Sequence, residues 1–164
     1  MKNLILYGTT YGYTESCAKE LARQLKVSTD CYNIKNVGGI DLGGYDTLIL
    51  GSSVYMGQMN KGLREWISAN LDSLKQKRLA FFICCASSDM AQKQLETNIP
   101  QELLDNSVSK ECFGGLMDIS KMGFMHKFIT KIVTKDAEKK GKKGPQPLPQ
   151  NIERMAQILN SSVG

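Results

Sequence analysis

Short apolar runs alternate with amphipathic helical patterns along this chain, and that alternation restricts its fold more than any other feature. Five runs have the length of a β-strand, and the fourth is continuously apolar, which is typical of a strand buried on both faces. The predicted strands are residues 3–7, 31–34, 46–50, 79–85 and 111–117. Strands separated by helices predict a mainly parallel sheet with helices on both sides.

Amphipathic helices are predicted between and after these strands. Apolar side chains recur there at helical spacing, and Pro100 interrupts the third helix. The predicted helices are residues 17–25, 63–74, 95–104, 122–133 and 152–159. Parallel sheets of this kind bind ligands at the carboxyl ends of their strands, where the strand order reverses. The loops after the first, third and fourth strands are therefore the candidate binding loops.

The charge of the chain is concentrated in one segment. The 164 residues are 41% hydrophobic, which predicts one globular domain over residues 1–164. The net charge is +5, but residues 121–143 hold eight lysines and two acidic residues. This window carries +6 and the remainder −1, so residues 118–150 are interpreted as a basic insertion in a nearly neutral domain. A nucleic-acid-binding protein with a uniformly basic surface is disfavoured, and no nucleic-acid partner is expected.

The cysteine and histidine content predicts reduced thiols and no metal site. The cysteines are Cys17, Cys31, Cys84, Cys85 and Cys112. They show no C-x-x-C spacing, and His126 is the single histidine. The apolar start is too short for a secretory signal, and no apolar run approaches the roughly 20 residues of a membrane span. We therefore expect a cytoplasmic protein.

The loop after the first strand has the features of an anion-binding site. It precedes a helix N-terminus, where unpaired amides and the helix dipole favour an anion, and Gly12 lets the backbone approach a ligand closely. Three threonine hydroxyls add donors, but no lysine or arginine is present. The loop fits neither the P-loop nor the dinucleotide motif. Ordinary helix capping by the threonines is the alternative interpretation.

At this loop the sequence resembles the FMN-binding signature of the flavodoxin family. The matching residues are Ile5, Leu6, Tyr7, Thr9, Gly12, Thr14, Ala18 and Leu21. The resemblance implies a flavodoxin-like three-layer α/β/α sandwich with a five-stranded parallel sheet in the order 2-1-3-4-5, extended by a basic helix and loop after strand 5. It also implies FMN as cofactor. The residues that would hold the FMN phosphate are Thr9, Thr10, Tyr11, Gly12, Tyr13 and Thr14.

The same resemblance implies that two further loops contact the flavin ring. Proteins of this family usually carry an aromatic residue just before a glycine after strand 3; here Met56 precedes Gly57 and Tyr55 lies one position earlier, so either side chain is a candidate to cover the ring. The first flavin loop comprises Ser52, Ser53, Val54, Tyr55, Met56 and Gly57. The second comprises Cys85, Ala86, Ser87, Ser88 and Asp89. Exposed loops without a ligand are the alternative.

The region after the fifth predicted strand resembles the bacterial menaquinone-dependent protoporphyrinogen IX dehydrogenases, which are flavodoxin-like. The resemblance is carried by Gly114, Gly115, Leu116, Lys127, Phe128, Ile129, Lys131 and Ile132. The chain departs from that pattern at residues 144–149, which read GPQPLP where a Thr-Asp pair and an aromatic are usual.

The predicted helix at residues 122–133 is amphipathic with a basic polar side. One interpretation is attachment to the inner face of a membrane through residues 121–143, where a quinone would be met. A second is docking of an acidic redox protein. A third is packing against its own domain with solvated lysines.

These observations favour an FMN-binding redox protein that carries electrons to a partner protein or a quinone. Protoporphyrinogen dehydrogenase activity is the alternative within that class. A flavin-free binding or signalling module is disfavoured, because phosphoacceptor domains of this architecture need acidic residues where Gly8, Thr9 and Thr10 lie. No catalytic residue is assigned.

Overall fold

A parallel sheet forms the centre of the molecule. The structure is a computed structural model that describes residues 1–116 and 145–161. The strands are β1 (Asn3–Gly8), β2 (Thr29–Asn33), β3 (Thr47–Tyr55), β4 (Gln58–Met59), β5 (Arg78–Cys84) and β6 (Ser107–Cys112). Five of them pair in parallel in the order β2-β1-β3-β5-β6, while the short β4 pairs antiparallel with the end of β3. The predicted order of the five main strands is confirmed.

Helices cover both faces of this sheet. The helices are α1 (Tyr13–Gln24), α2 (Lys61–Ala69), α3 (Leu71–Lys75), α4 (Ala91–Asn98), α5 (Gln101–Asp105) and α6 (Pro149–Ser161). Alternate residues of β1 enter two separate cores, Leu4 with α2 to α5 and Ile5 with α1 and α6. Because side chains alternate across a strand, one sheet serves two hydrophobic cores, and the predicted three-layer sandwich is confirmed.

The structure corrects several predicted boundaries, including that of β2, which is Thr29–Asn33 and not residues 31–34. The last strand is Ser107–Cys112 and not residues 111–117. Strand β3 continues to Tyr55, beyond the predicted end at Leu50. The helix predicted at residues 63–74 is divided at Asn70, which ends α2 and begins α3.

Gly51 follows the predicted end of the third strand, yet it lies inside β3. A Cβ atom on Gly51 would lie only 2.0 Å from the Phe82 ring, so glycine leaves room for that ring in the neighbouring strand. Gly51 therefore fills a position inside the sheet and does not start a loop. The predicted helix at residues 122–133, and most of the predicted insertion 118–150, lie outside the described residues. Within the described residues, no helix is long and apolar enough to cross a membrane.

Candidate functional site

Three of the predicted loops start side by side at the carboxyl edge of the sheet. The β1–β3 register pairs Gly8 with Ser52, and the β3–β5 register pairs Ser53 with Cys84. The loops after β1 and β3 also touch, since the hydroxyls of Thr10 and Ser53 lie 3.0 Å apart in a hydrogen bond. The sheet topology thus brings together candidate residues that are up to 80 positions apart in the chain, from Thr9 to Asp89.

The loop after β1 leaves the first turn of α1 without a side-chain cap. Gly12 occupies the capping position with φ 93°, a left-handed conformation that favours glycine, and no side chain caps the helix there. The Thr9 hydroxyl accepts a hydrogen bond from the Gly12 amide at 3.0 Å, inside the loop. The threonines therefore shape the loop and do not cap α1, so no side chain caps the first amides of a twelve-residue helix, an arrangement that favours an anion.

Two residues of this loop use their side chains for anchoring. The Tyr13 hydroxyl donates to the Phe113 carbonyl at 2.9 Å, and burial raises the pKa of Tyr13 well above its ordinary value. Thr14 is 1% exposed, and its hydroxyl hydrogen-bonds with the Cys84 thiol. Both side chains attach the start of α1 to the segments that follow β6 and end β5, so neither side chain is directed into the loop.

The loop after β3 is a tight hairpin. Val54 pairs with Met59 and Tyr55 with Gln58, which leaves Met56 and Gly57 as a two-residue turn. Their φ values of 49° and 76° are those of a type I′ turn. Met56 is 74% exposed at the tip of the hairpin, whereas Tyr55 is half-buried.

Tyr55 also lies towards the loop after β1. The pKa of Tyr11 is raised, first by burial and then by the nearby Tyr55 phenol. Two aromatic residues from different loops therefore lie near each other at this edge of the sheet.

Two asparagines that the sequence pattern did not single out hold the hairpin. Asn98 of α4 accepts from the Met59 amide and donates to the Gly57 carbonyl, both at 2.9 Å. Asn60 caps α2 through the Leu63 amide, and its own amide donates to the Ser52 hydroxyl. Ser52 is fully buried and supports the turn from within. Asn98 lies in a polar helix without any motif, so no local signal distinguishes it.

The loop after β5 is more exposed. Cys85 is buried and its amide donates to the Gly114 carbonyl at 2.9 Å, but Ala86 to Asp89 are all exposed. Asp89 lies in the short 3₁₀ turn Ser88–Met90. Gly114 in turn pairs with Pro147, so the end of the first described range and the start of the second lie next to each other beside this loop.

The electrostatics of the site are nearly neutral. Among residues 8–14, 52–59 and 85–89, Asp89 is the single charged residue. Hydroxyls, backbone amides and aromatic rings dominate, which suits a ligand with one anionic end and a planar apolar body. No group of three or more metal-ligating side chains occurs within the described part of the chain.

Comparisons with known proteins agree with this geometry. The chain is 30% identical over 101 residues to protoporphyrinogen IX dehydrogenase [quinone] of Leishmania major, a match that covers 59% of this chain and 42% of the relative. It is 30% identical over 112 residues to the flavodoxin of Maridesulfovibrio salexigens, covering 58% and 76%. The chain therefore spans less than half the length of the first relative and about three quarters of the second.

Solved structures show the same fold at low sequence identity. Flavodoxin 1 from Bacillus cereus has a TM-score of 0.56 at 17% identity, covering 99% of this chain and 97% of that one. A flavoprotein from Lactobacillus acidophilus, solved in complex with FMN, has a TM-score of 0.52 at 18% identity, covering 68% and 92%. A family model described as a flavodoxin domain matches residues 4–143. The chain therefore belongs to the flavodoxin family.

Proposed function

We propose that this protein binds FMN at the carboxyl edge of its sheet and serves as an electron-transfer protein. The observation that carries the proposal is the meeting of the uncapped start of α1 with the β3–β4 hairpin, through the Thr10–Ser53 hydrogen bond. Family membership and the FMN complex of the Lactobacillus acidophilus flavoprotein support the choice of cofactor. Bound FMN supplies one- and two-electron chemistry.

In this proposal the loop after β1 holds the phosphate. The amides of Tyr13 and Thr14 and the hydroxyl of Thr10 donate to its oxygens, while Gly12 allows close approach. Thr9 and Tyr11 complete the loop, Thr9 by fixing the Gly12 amide. These are the phosphate-binding residues expected from the sequence, with Tyr13 and Thr14 acting through the backbone.

The other two loops would hold the ring. Val54, Tyr55, Met56 and Gly57 would line one side through the hairpin, supported by Ser52 and Ser53. The loop Cys85, Ala86, Ser87, Ser88 and Asp89 would meet the opposite edge. Because these loops carry no cation, added negative charge on the ring is not compensated. We expect a potential for full reduction below that of free FMN, measured by redox titration.

The absorbance spectrum of the purified protein, followed by FMN titration of the apoprotein, tests the cofactor. Thr10→Glu places a carboxylate where the phosphate would lie, and we expect FMN affinity to fall at least roughly tenfold. Ser28→Glu is the matched control, because Ser28 is exposed and precedes β2 at the opposite edge of the sheet. A colourless protein that ignores added FMN, or equal affinities for both variants, would contradict the proposal.

A second candidate is quinone-dependent protoporphyrinogen IX dehydrogenase activity. It is favoured by the similarity to the Leishmania major enzyme. Flavin-loaded protein is mixed with protoporphyrinogen and a menaquinone analogue, and porphyrin formation is followed by fluorescence. Porphyrin formed only with both protein and quinone would support the enzyme; none in flavin-loaded protein would leave the electron carrier.

The basic segment at residues 121–143 supports a proposal about partners. Its net charge of +6 would attract an anionic membrane surface, and each lysine near such a surface contributes about 1 kcal/mol. Cosedimentation with anionic vesicles but not with neutral ones is the expected result. Equal recovery with both would leave an acidic redox protein as the partner to test.

A further inference from the structure

We propose that Cys85 and Cys112 form a redox-active dithiol that interconverts with a disulfide at the edge of the second candidate flavin loop. The two thiols lie on neighbouring segments, at the end of β5 and the end of β6, and their sulfur atoms are 3.5 Å apart. The inference concerns the thiols themselves and holds whether or not the protein carries FMN.

The sheet register explains why these two side chains meet. Ile83 lies opposite Cys112, and Cys85 is two residues further along, so it is on the same face as Ile83. A disulfide requires sulfur atoms about 2.05 Å apart, so the pair must approach by about 1.5 Å. Cys85 follows the last residue of β5 and begins an exposed loop, and it can supply that movement.

The hydrogen bonds around Cys112 favour its thiolate, which is the form that acts as a nucleophile. The Cys85 thiol is in hydrogen-bond contact with the Cys112 sulfur and the Gly114 amide donates to it, and the contact with Cys85 is the main cause that lowers the pKa of Cys112 to about 7. The same contact with Cys112, together with burial, raises the pKa of Cys85. Glu111, whose charge acts to raise the pKa of Cys112, is paired with Arg154. One thiol of the pair is therefore ready to ionise while its neighbour keeps its proton.

A small peroxide is the oxidant that suits a pair of such low exposure. The Cys112 thiolate attacks one oxygen of hydrogen peroxide, the O–O bond breaks, and hydroxide leaves with a sulfenic acid formed on Cys112. The Cys85 thiol then attacks that sulfur, the S–O bond breaks, and water leaves as the disulfide forms. Two thiols are oxidised and one peroxide is reduced to two waters, so atoms and electrons balance. A dithiol reductant reverses the reaction by exchange.

The disulfide would change the loop that it joins. Cys85 already contacts the segment after β6 through its amide bond to Gly114, and its sulfur donates to the Ser87 carbonyl at 3.4 Å. Forming the disulfide removes that donor and attaches the start of the loop covalently to β6. The loop after β5 would therefore exist in an oxidised and a reduced form.

The experiment treats the purified full chain with equimolar hydrogen peroxide, then denatures it and alkylates the remaining thiols. We expect three of the five cysteines to be alkylated, and all five after treatment with dithiothreitol. Tryptic mapping should link the peptide of residues 79–93 to that of residues 111–121. The Cys112→Ser variant should retain all its thiols under this treatment, whereas the matched control Cys31→Ser should still lose two.

Other outcomes count against the proposal. The Cys17 thiol also hydrogen-bonds with Cys84, so a link between the peptides of residues 3–19 and 79–93 would assign the reaction to that pair. Five free thiols in peroxide-treated wild type, or a sulfinic acid at Cys112 without a link, would also overturn it. The mapping uses wild-type protein, so the result does not depend on the folding of a variant.

Discussion

The hairpin after β3 and the loop after β5 lie side by side at one sheet edge, but they are held in different ways. The hairpin is fixed by neutral hydrogen bonds from Asn98 and Asn60 and by a two-residue turn. The start of the loop after β5 is anchored through Cys85, by its amide bond to the Gly114 carbonyl and its thiol contact with Cys112. We therefore expect substitutions at its hydrogen bonds or its turn to affect the hairpin. We expect oxidation and pH to affect the loop after β5, because its start is held through Cys85.

We expect the two loops to contribute to ligand binding in different ways. A rigid hairpin presents a fixed surface to a planar ligand, since few conformations remain to be lost on binding. A loop whose residues 86–89 are all exposed can adjust more readily. The four predictions below test this contrast, beginning with the largest expected effect.

Gly114→Ala should disrupt the support of the loop after β5. The new Cβ would lie 2.0 Å from the Gln146 carbonyl oxygen, and the residue has φ 76°. We expect a loss of about 3 kcal/mol in the free energy of unfolding, measured by urea denaturation. Gly44→Ala is the control, because a Cβ there meets no atom within 4 Å. Equal stability of the two variants would remove the role given to Gly114.

Asn98→Ala should loosen the hairpin while leaving the loop after β5 intact. The substitution leaves the Met59 amide and the Gly57 carbonyl without their partner. We expect a loss of about 2 kcal/mol in stability. Lys93→Ala, at an exposed position of the same helix, should change little. Hydrogen exchange should rise at Met59 but not at Cys85; a rise at both would show that the loops are not independent.

The reactivity of the buried Cys112 and the half-buried Cys31 should separate with pH. The pKa of Cys112 is lowered to about 7, and burial raises that of Cys31 to about 11. Because the thiolate reacts, alkylation of Cys112 should increase roughly tenfold from about pH 6 to pH 8 and then level off. Alkylation of Cys31 should continue to increase above pH 8. Rates are read for each cysteine by peptide mass spectrometry, and parallel profiles would contradict the assignment.

Met56→Asn should stabilise the turn of the hairpin. Met56 has φ 49° and is 74% exposed, and asparagine before glycine is preferred in type I′ turns. We expect a gain of about 0.5 kcal/mol in the free energy of unfolding of the apoprotein, measured by urea denaturation. If Met56 covers the flavin ring, FMN affinity should fall in the same variant. Unchanged affinity would assign that contact to Tyr55.

Much of the fold was predictable because the central strands are strongly apolar. Residues 79–85 are continuously apolar, and the matching strand β5 is almost fully buried. Strand β6 was misplaced because it lies at the edge of the sheet and has no such pattern. Its buried positions include Ser109 and Glu111, and the carboxylate of Glu111 is paired with Arg154 of α6. That pairing joins residues 43 positions apart, and no local pattern reports it.

The candidate site was likewise predictable only in part. The loop after β1 was recognised because its donors are consecutive in the chain, whereas Asn98 supports the hairpin from 41 residues away. The predicted covering of the ring by Tyr55 or Met56 remains a prediction, although their environments now differ. The two thiols of the proposed dithiol are 27 residues apart and show no motif.

The sequence by itself determined the family, the alternation of strands and helices and the neutral loop at the start of α1, because each depends on short-range spacing of residue types. Tertiary structure decided which side chains of the candidate loops are exposed and which face the sheet. It turned Tyr13 and Thr14 inwards, placed Gly51 against the Phe82 ring and brought Cys85 to Cys112. These outcomes depend on strand register and packing between distant segments, which no single stretch of sequence encodes.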